Sequence, residues 1–348
     1  MEKGKNMRVI LLWVIIFIFI FIGCAKLKDK DSEKINGKMW KDTRGENINA
    51  HGGGILYHNG TYYWYGEFKG KNTYLMKEVK TWECWRADAG GISCYSSKNL
   101  LDWKFEGIVL PPSTDSKSEL HPSQVIERPK VIFNERTNKF VMWMHIESPD
   151  YEKAHAGVAV SDSPTGIFKY LGSKRPNGMD SRDQTIFKDD DGRAYHIFSS
   201  NWNKTIIVSL LSDDYLNHTG VFTKNFINES REAPAVFKYK KKYYMITSGC
   251  TGWDPNEAKY ATADSMLGKW TLMGNPCKGK DAEVTFYAQS TFVLPVQGKE
   301  NVFIAMFDKW KKKDLINSSY IWLPIHFSDT IPEIIWNKKW TIQNLQGE

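Results

Sequence analysis

Cysteine and histidine are scarce in this sequence, and neither is spaced as a metal site requires. Five cysteines and eight histidines are spread over 348 residues, with no Cys-x-x-Cys pair and no paired histidines. Zinc sites are usually built from such close pairs, so the spacing argues against one. Cys84 and Cys94 could close a short disulfide loop in an exported protein, and two free buried thiols are an equal alternative.

Sustained helical periodicity is also nearly absent. Apolar residues seldom recur every three to four positions, whereas short strand-like stretches rich in aromatic residues are frequent. Aromatic residues make up 14% of the chain and charged residues 25%, a balance that argues against extensive disorder. The pattern predicts an all-β protein.

No nucleic-acid-binding motif accompanies the excess of positive charge. The formal net charge is +7, and residues 2–8, with three basic side chains and one acidic side chain, account for +2 of it, which leaves +5. Lysine-rich runs at 238–242 and 309–313 supply much of the remainder and are typical of solvated hairpin tips. We therefore expect no nucleic-acid partner.

The N-terminal segment has the pattern of a bacterial export signal. Basic residues precede an unbroken apolar run from Val9 to Gly23, whose fifteen residues are short for a bilayer span. Cys24 follows directly, as in a lipoprotein processing site where the cysteine carries the lipid. We expect a signal peptide over 1–23, a polar tether over 24–39, and an exported, membrane-anchored lipoprotein, periplasmic or at the cell surface. An uncleaved N-terminal anchor is the alternative.

A repeating unit occupies the body of the chain. Each copy begins with one polar residue, continues as an apolar strand, turns through polar residues and returns as a strand rich in aromatics. The leading residues, spaced 76, 56, 49 and 57 positions apart, are His51, Glu127, Asp183, Glu232 and Gln289. A period near fifty predicts a single five-bladed β-propeller over 40–348. Strands at 320–327 and 336–342 are expected to complete the last blade and close the ring.

The leading residues are expected to meet at the centre of the ring. The innermost strand of each blade lines the axial channel of a propeller, so the residue at its start projects into a shared funnel. Carboxyl groups brought into one cavity raise each other's pKa, an arrangement that serves a ligand or a reaction. Glycoside hydrolysis needs one such group protonated, so that it can donate to the leaving oxygen.

The units carry motifs that resemble glycoside hydrolase family 43. Glu127-Arg-Pro begins the second unit, Arg182-Asp-Gln the third and Arg231-Glu-Ala-Pro the fourth. His51-Gly-Gly-Gly-Ile-Leu and Gln289-Ser-Thr-Phe resemble the branch of exo-β-1,3-galactanases in particular. The resemblance covers essentially the whole body. It implies an exo-acting hydrolase that releases galactose from β-1,3-galactan, the arabinogalactan backbone, with inversion.

The resemblance also implies roles for individual residues. Glu232 matches the general acid, Glu127 the carboxylate that raises the pKa of that acid, and Gln289 a residue that faces the reactive carbon. Most of the family has an aspartate base on the first blade, where this chain has His51 and three glycines. A neutral amide is a poor base, so we expect Gln289 to position the water. Contacts to sugar hydroxyls are expected from Asp183, Glu67, Tyr151, Thr251 and His51.

Two other functions are compatible with the same fold. An α-L-arabinofuranosidase or β-xylosidase of the family is one, and the missing first-blade aspartate argues against it. A surface glycan-binding propeller without catalysis is the other.

A packed core histidine is the alternative for His51, and Trp85, Trp202 and Trp253 could stack on sugar faces. We expect a monomer that acts on oligosaccharides or polysaccharides without a cofactor, and a structural calcium ion in the channel is left open.

Overall fold

The computed structural model describes residues 34–341 and residue 345. The predicted signal peptide, Cys24 and the tether up to residue 33 lie outside these ranges. The described chain begins with a short strand, β1 (Lys34–Ile35). Within the described ranges, the helical segments are three short 3-10 turns at Pro176–Gly178, Ala282–Tyr287 and Leu315–Asn317, and no helix has the length and hydropathy to cross a bilayer.

Four antiparallel sheets of four strands follow β1, and each is one blade. Blade 1 consists of β2 (His51–His58), β3 (Thr61–Leu75), β4 (Trp85–Ser97) and β5 (Lys104–Leu110). Blade 2 consists of β6 (Val125–Asn134), β7 (Lys139–Glu147), β8 (His155–Ser161) and β9 (Lys169–Lys174). Blade 3 consists of β10 (Gln184–Lys188), β11 (Ala194–Ser200), β12 (Thr205–Leu211) and β13 (His218–Asn225). Blade 4 consists of β14 (Arg231–Tyr239), β15 (Lys242–Gly249), β16 (Lys259–Ala263) and β17 (Thr271–Leu272).

Blade 5 has five strands and a different order. Its strands are β18 (Cys277–Lys278), β19 (Gln289–Pro295), β20 (Phe303–Lys309), β21 (Ser319–Ser328) and β22 (Ile331–Ile335). The short β18 runs parallel to β22 at the outer edge, and the inner strand is β19. The last strand, β23 (Lys339–Trp340), pairs with β1. The predicted closing strand at 336–342 is therefore wrong: β22 completes the blade, and 339–340 pairs outside it.

The inner strands of the five blades form a closed circuit. β2 contacts β6, β6 contacts β10, β10 contacts β14, β14 contacts β19, and β19 returns to β2. This confirms the predicted five-bladed β-propeller. The first hairpin shows how the sequence sets the local geometry, because Asn59 and Gly60 both have positive φ angles, 47° and 74°, as a two-residue hairpin turn requires.

Aromatic residues pack between blades 1 and 5, and one asparagine joins the segment after β1 to blade 5. Trp64 and Trp322 pack with ring centroids 5.0 Å apart, in a buried cluster that also holds Trp40 and Tyr320. The Asn36 amide donates to the Trp322 carbonyl at 3.0 Å and accepts from its backbone N–H at 2.8 Å. Residues 34–39, predicted as part of the tether, are therefore packed into the body.

Glycine is required where the first inner strand leaves the centre of the ring. A Cβ added to Gly53 would lie 2.0 Å from the backbone oxygen of Tyr65, a contact that only a backbone shift can relieve. We expect Gly53→Ala to lower the free energy of unfolding by about 3 kcal/mol, measured by chemical denaturation. Gly274→Ala is the matched control, because a Cβ there meets nothing within 4 Å. Equal effects of the two changes would contradict the steric argument.

Candidate active site

One end of the axial channel opens into a cavity of about 930 Å³. Four of the five leading residues line it: Glu127, Asp183, Glu232 and Gln289. They come from the starts of the inner strands of blades 2 to 5. The structure therefore brings the Glu127 and Glu232 carboxyl groups and the Gln289 amide to one pocket, as the register of the repeats predicts.

Backbone irregularities aim these side chains. The pairing of the inner strand with its neighbour shifts register directly after His51, Glu127 and Glu232. The next residue has positive φ in each case, 58° at Gly52, 54° at Arg128 and 52° at Ala233. Such bulges rotate a side chain away from the regular alternation of a strand, and positive φ at a non-glycine residue costs energy that functional sites often carry.

Glu232 is a buried carboxyl group between two amides. Its side chain accepts from Gln289 Nε2 at 2.8 Å on Oε1 and from Asn203 Nδ2 at 2.9 Å on Oε2. Burial and the negative charge of Asp183 raise the pKa of Glu232 to about 8, against the opposing charge of Arg128. A carboxyl group with this pKa is protonated at neutral pH and can donate a proton.

Asp183 and Arg128 form a two-pronged ion pair beside Glu232. The Arg128 guanidinium donates through Nε and Nη2 to the two Asp183 oxygens, at 3.0 and 2.9 Å. Its Nη1 donates to the Ser290 carbonyl of blade 5 at 3.1 Å. Besides burial, the charge of Asp183 raises the pKa of Glu232, and the part predicted for Glu127 in this shift stays a prediction. Arg128 thus links blades 2, 3 and 5 across the centre.

Glu127 has an environment opposite to that of Glu232. Burial would raise its pKa, but the nearby positive charges of His145, Lys69 and Arg128 lower it to about 2. Tyr151 donates its hydroxyl to Glu127 Oε1 at 3.1 Å, and His145 Nδ1 lies 3.3 Å from Oε2. The pKa of His145 is raised to about 9 because, despite burial, it lies between Glu127 and Glu147. Glu127 is therefore a fixed negative charge.

Every hydrogen-bonding position of the Gln289 amide is engaged by protein groups. Its oxygen accepts from Arg128 Nη2 at 2.5 Å and from the indole N–H of Trp310 at 3.0 Å. Its nitrogen donates to Glu232 at 2.8 Å and to the Ser248 hydroxyl at 3.1 Å. Because the guanidinium and the indole can only donate, they fix the oxygen toward themselves and leave the nitrogen facing the carboxyl group.

His51 is fully buried and lies outside the cavity lining. Its ring stacks on Tyr320 with centroids 5.2 Å apart, and its Nδ1 lies 3.7 Å from Asp308. The predicted sugar contact of His51 is therefore wrong, and the core-histidine alternative is correct. The glycines that follow admit protein groups rather than a sugar, since a Cβ at Gly52 would lie 2.1 Å from Glu67 Oε1.

The other predicted contact residues do line the cavity. Glu67 accepts from the Arg128 backbone N–H at 2.9 Å and pairs with Lys69. Burial raises the pKa of Glu67, with Lys69 opposing the shift. The Thr251 hydroxyl donates to the Asp254 carbonyl at 2.6 Å, within a loop after blade 4's second strand. Thr251 is therefore committed to a turn, whereas Glu67 and Tyr151 present charged and polar groups to the cavity.

A long hairpin of blade 1 forms one wall of the cavity. β3 and β4 are longer than the strands of the other blades, and the loop between them carries Trp82 and Glu83. The Glu83 carbonyl accepts from the Trp253 indole at 2.6 Å, and its carboxylate pairs with Lys312 at 2.7 Å. Loops of blades 4 and 5 are thereby joined to blade 1. Trp85 and Trp253 both line this wall.

Sequence reasoning missed the side chains that hold the leading residues in place. Arg128 was visible in the Glu-Arg-Pro motif, but its partners were not. Asn203 and Trp310 follow strands without any local signal.

Cys84 and Cys94 are free and buried, so the thiol alternative is correct. Among the residues that the structure describes, no group of three or more His, Cys, Asp or Glu side chains could hold a metal ion.

Two carboxyl groups lie in this propeller channel, one with a raised pKa and one with a lowered pKa. These are the acid–base groups of a glycoside hydrolase. The chain belongs to the glycosyl hydrolases family 43, whose family model matches residues 55–304. It is a glycoside hydrolase, and its substrates are oligosaccharides or polysaccharides.

Solved structures similar to this chain include three of the same family. One is a family 43 β-1,3-galactosidase with galactodeoxynojirimycin, 42% identical, with a TM-score of 0.82 over 88% of this chain and 100% of that one. An exo-β-1,3-galactanase from Phanerochaete chrysosporium with β-1,3-galactotriose is 34% identical, with a TM-score of 0.79 over 89% and 68%. One from Clostridium thermocellum is 38% identical, with a TM-score of 0.79 over 89% and 66%.

A curated relative is more distant. It is a β-D-galactofuranosidase from Aspergillus niger, 29% identical over 140 residues. The match covers 35% of this chain and 40% of that relative. This chain thus aligns with less than half the length of that protein.

Proposed function

We propose that this protein removes single galactose units from the end of β-1,3-galactan with inversion at the anomeric carbon. The observation that carries the proposal is the Glu232 carboxyl group, buried with a raised pKa and bonded directly to Gln289. Structures 34% to 42% identical to this chain are described as β-1,3-galactosidases or exo-β-1,3-galactanases. The wall that Glu83 joins to Trp253 and Lys312 supports a pocket for a chain end rather than an open cleft.

In the proposed reaction, Glu232 donates its proton to the oxygen that leaves with the remaining polymer. Glu127 stays ionised and, with Asp183, opposes the positive charge that develops at the anomeric carbon. The Gln289 oxygen accepts from a guanidinium and an indole, so it is a poor proton acceptor. Because its nitrogen is also engaged, by Glu232 and Ser248, Gln289 orients Glu232 and neither holds the attacking water nor removes its proton. The water loses that proton to solvent in the cavity, and solvent returns a proton to Glu232.

The test is the product formed from β-1,3-galactan. Galactose should be the sole product from the first minutes, and NMR should detect the α-anomer first, because inversion of a β-linkage gives an α-product. A ladder of oligosaccharides would contradict exo action. Release of arabinose or xylose from their glycosides, but no galactose from galactan, would favour the other hydrolases. Glycan retention without product would favour a binding protein.

Activity should decline as the pH rises through about 8, because Glu232 must be protonated to act and its pKa is about 8. Asn203→Asp places a second negative charge beside Glu232 and should move this decline to higher pH. Asn201→Asp adds the same charge in the same turn, at an exposed residue, and is the matched control. The measurement is kcat/KM for β-1,3-galactobiose across the alkaline range. An unshifted decline in Asn203→Asp would contradict the assignment.

We also propose that residues 1–23 are removed on export and that Cys24 carries a lipid anchor, which places the enzyme at a bacterial membrane facing the periplasm or the exterior. The apolar run before Cys24 supports this. Cys24→Ser should move the protein from the membrane fraction to the soluble fraction. Light scattering of a protein without the leader should give the mass of one chain, which tests the proposed monomer.

A further inference from the structure

Trp202 is a large apolar side chain exposed at the cavity. It is 48% exposed, and it belongs to the cavity lining together with Asn203 and Arg182. Exposing an indole to water forgoes the free energy that burial would give. Indole rings presented at the rim of a polar cavity are suited to the apolar faces of sugar rings.

The ring of Trp202 is held by the protein on one side. The Arg182 guanidinium lies 4.0 Å from the ring centroid, and Arg182 is only 7% exposed. Arg182 is itself fixed, because its Nη1 donates to Glu147 Oε2 at 2.9 Å and to the Tyr151 carbonyl at 3.0 Å. A cation stacked on one face of an indole stabilises the ring's orientation and leaves the opposite face for a ligand.

The backbone that presents Trp202 is strained and anchored. Residues 201, 202 and 203 have φ angles of 52°, 53° and 61°, a run of three non-glycine residues in the left-handed region. Asp180 accepts from the backbone N–H groups of Asn201 at 2.8 Å and Trp202 at 3.2 Å. Such strain persists where the surroundings over-determine the conformation, and it clusters at functional sites.

The position of Trp202 relative to the proton donor indicates which sugar it meets. The next residue, Asn203, donates to Glu232 Oε2 at 2.9 Å, so the Trp202 turn borders the carboxyl group. The oxygen that Glu232 protonates joins the galactose that is released to the next sugar of the polymer, which is the leaving group and is called the departing sugar here. The departing sugar is the end of the remaining polymer and must face solvent, as Trp202 does, whereas Gln289, Glu127 and Arg128 lie at the ring centre.

We propose that Trp202 is a stacking platform for the leaving-group sugar, the pyranose on the far side of the cleaved bond from the released unit. The ligand class is a pyranose with an apolar face. This inference rests on the proposed function. Trp202 contributes to the affinity for substrate on the polymer side of Glu232. Arg182 is a positioning residue beneath the indole.

The test compares two substrates that differ in the leaving group. β-1,3-Galactobiose has a sugar to place on Trp202, whereas β-galactosyl fluoride has a single atom. For Trp202→Ala we expect kcat/KM on galactobiose to fall about 10- to 50-fold, from the loss of one stacking contact. The value for the fluoride should stay within about twofold of wild type. Trp202→Tyr keeps an aromatic face and should retain most of the galactobiose activity.

The control is Trp336→Ala, which removes an indole 39% exposed and outside the cavity lining. It should leave both substrates unchanged. Equal losses on galactobiose and fluoride in Trp202→Ala would overturn the platform, and so would no loss on either. Wild-type protein that releases no galactose would overturn the proposed function and this inference with it. An active wild type with an unchanged substrate ratio in Trp202→Ala would overturn the inference alone.

Discussion

Replacing Glu232 with glutamine is expected to lower kcat on β-1,3-galactan by about 10³-fold while the protein still folds and binds galactose. Glutamine keeps the size and the hydrogen-bonding position of the side chain but has no transferable proton. The surroundings already accommodate a neutral group, because Glu232 is buried and its pKa is about 8. The measurements are steady-state release of galactose and calorimetric titration with galactose.

The same substitution should change how stability depends on pH. Burial and Asp183 raise the pKa of Glu232 from 4.5 to about 8, so folding favours its protonated form. That contribution is fully present below the unfolded-state pKa and is lost as the pH rises through the folded-state pKa. Wild type should therefore lose stability between pH 4.5 and about 8 relative to Glu232→Gln. The unfolding temperatures of the two proteins should agree below pH 4.5 and diverge as the pH rises toward about 8.

Glu229→Gln is the matched control for both measurements. Glu229 is exposed and lies in the loop just before the same strand. Its replacement makes the same chemical change of carboxyl to amide without touching the cavity, and neither kcat nor the pH dependence should change. A Glu232→Gln protein with near-normal kcat would exclude Glu232 as the proton donor. An unchanged pH dependence would show that the carboxyl group is ionised in the folded protein at neutral pH.

The repeat pattern was sufficient to predict the blades and four of the five residues at the centre. Side chains in a strand alternate between the two faces of the sheet. The first residue of the strand and its register therefore determine which side of the sheet each residue faces. The leading position in each unit was enough to predict that Glu127, Asp183, Glu232 and Gln289 meet at the centre, whereas the bulges after Glu127 and Glu232 carry no such signal in the sequence. His51 follows the same pattern but turns into the core, because the glycines after it let Glu67 approach from the neighbouring strand.

The pairing between blades could not be predicted, because it joins residues far apart in the sequence. Arg128 reaches Asp183, Ser290 and Gln289, which lie 55, 162 and 161 positions away. Asn36 joins the segment after β1 to blade 5 through Trp322, 286 positions away. No local periodicity encodes such contacts. The effect of Asp183 on Glu232 has the same origin, since it depends on which carboxylates the fold brings beside Glu232.

Removal of the Arg128 side chain is expected to produce the largest loss of stability among these changes. Arg128 is buried, holds both oxygens of Asp183, and donates to Gln289 and to the Ser290 carbonyl. Removing one partner of a buried ion pair leaves the other charge uncompensated, which costs about 3–5 kcal/mol. We expect Arg128→Ala to lower the free energy of unfolding by that amount, measured by urea denaturation.

Arg128→Lys separates the charge of Arg128 from its geometry. Lysine keeps the positive charge but has no planar fork, so it cannot hold Asp183 and Gln289 together. With Gln289 displaced from Glu232, we expect kcat to fall about 100-fold with a smaller loss of stability than in the alanine variant. Arg136→Ala is the control, because its ion pair with Asp213 is exposed and contributes little. If the lysine variant keeps wild-type kcat, charge alone accounts for the role of Arg128, and the fork that joins three blades is not needed for catalysis.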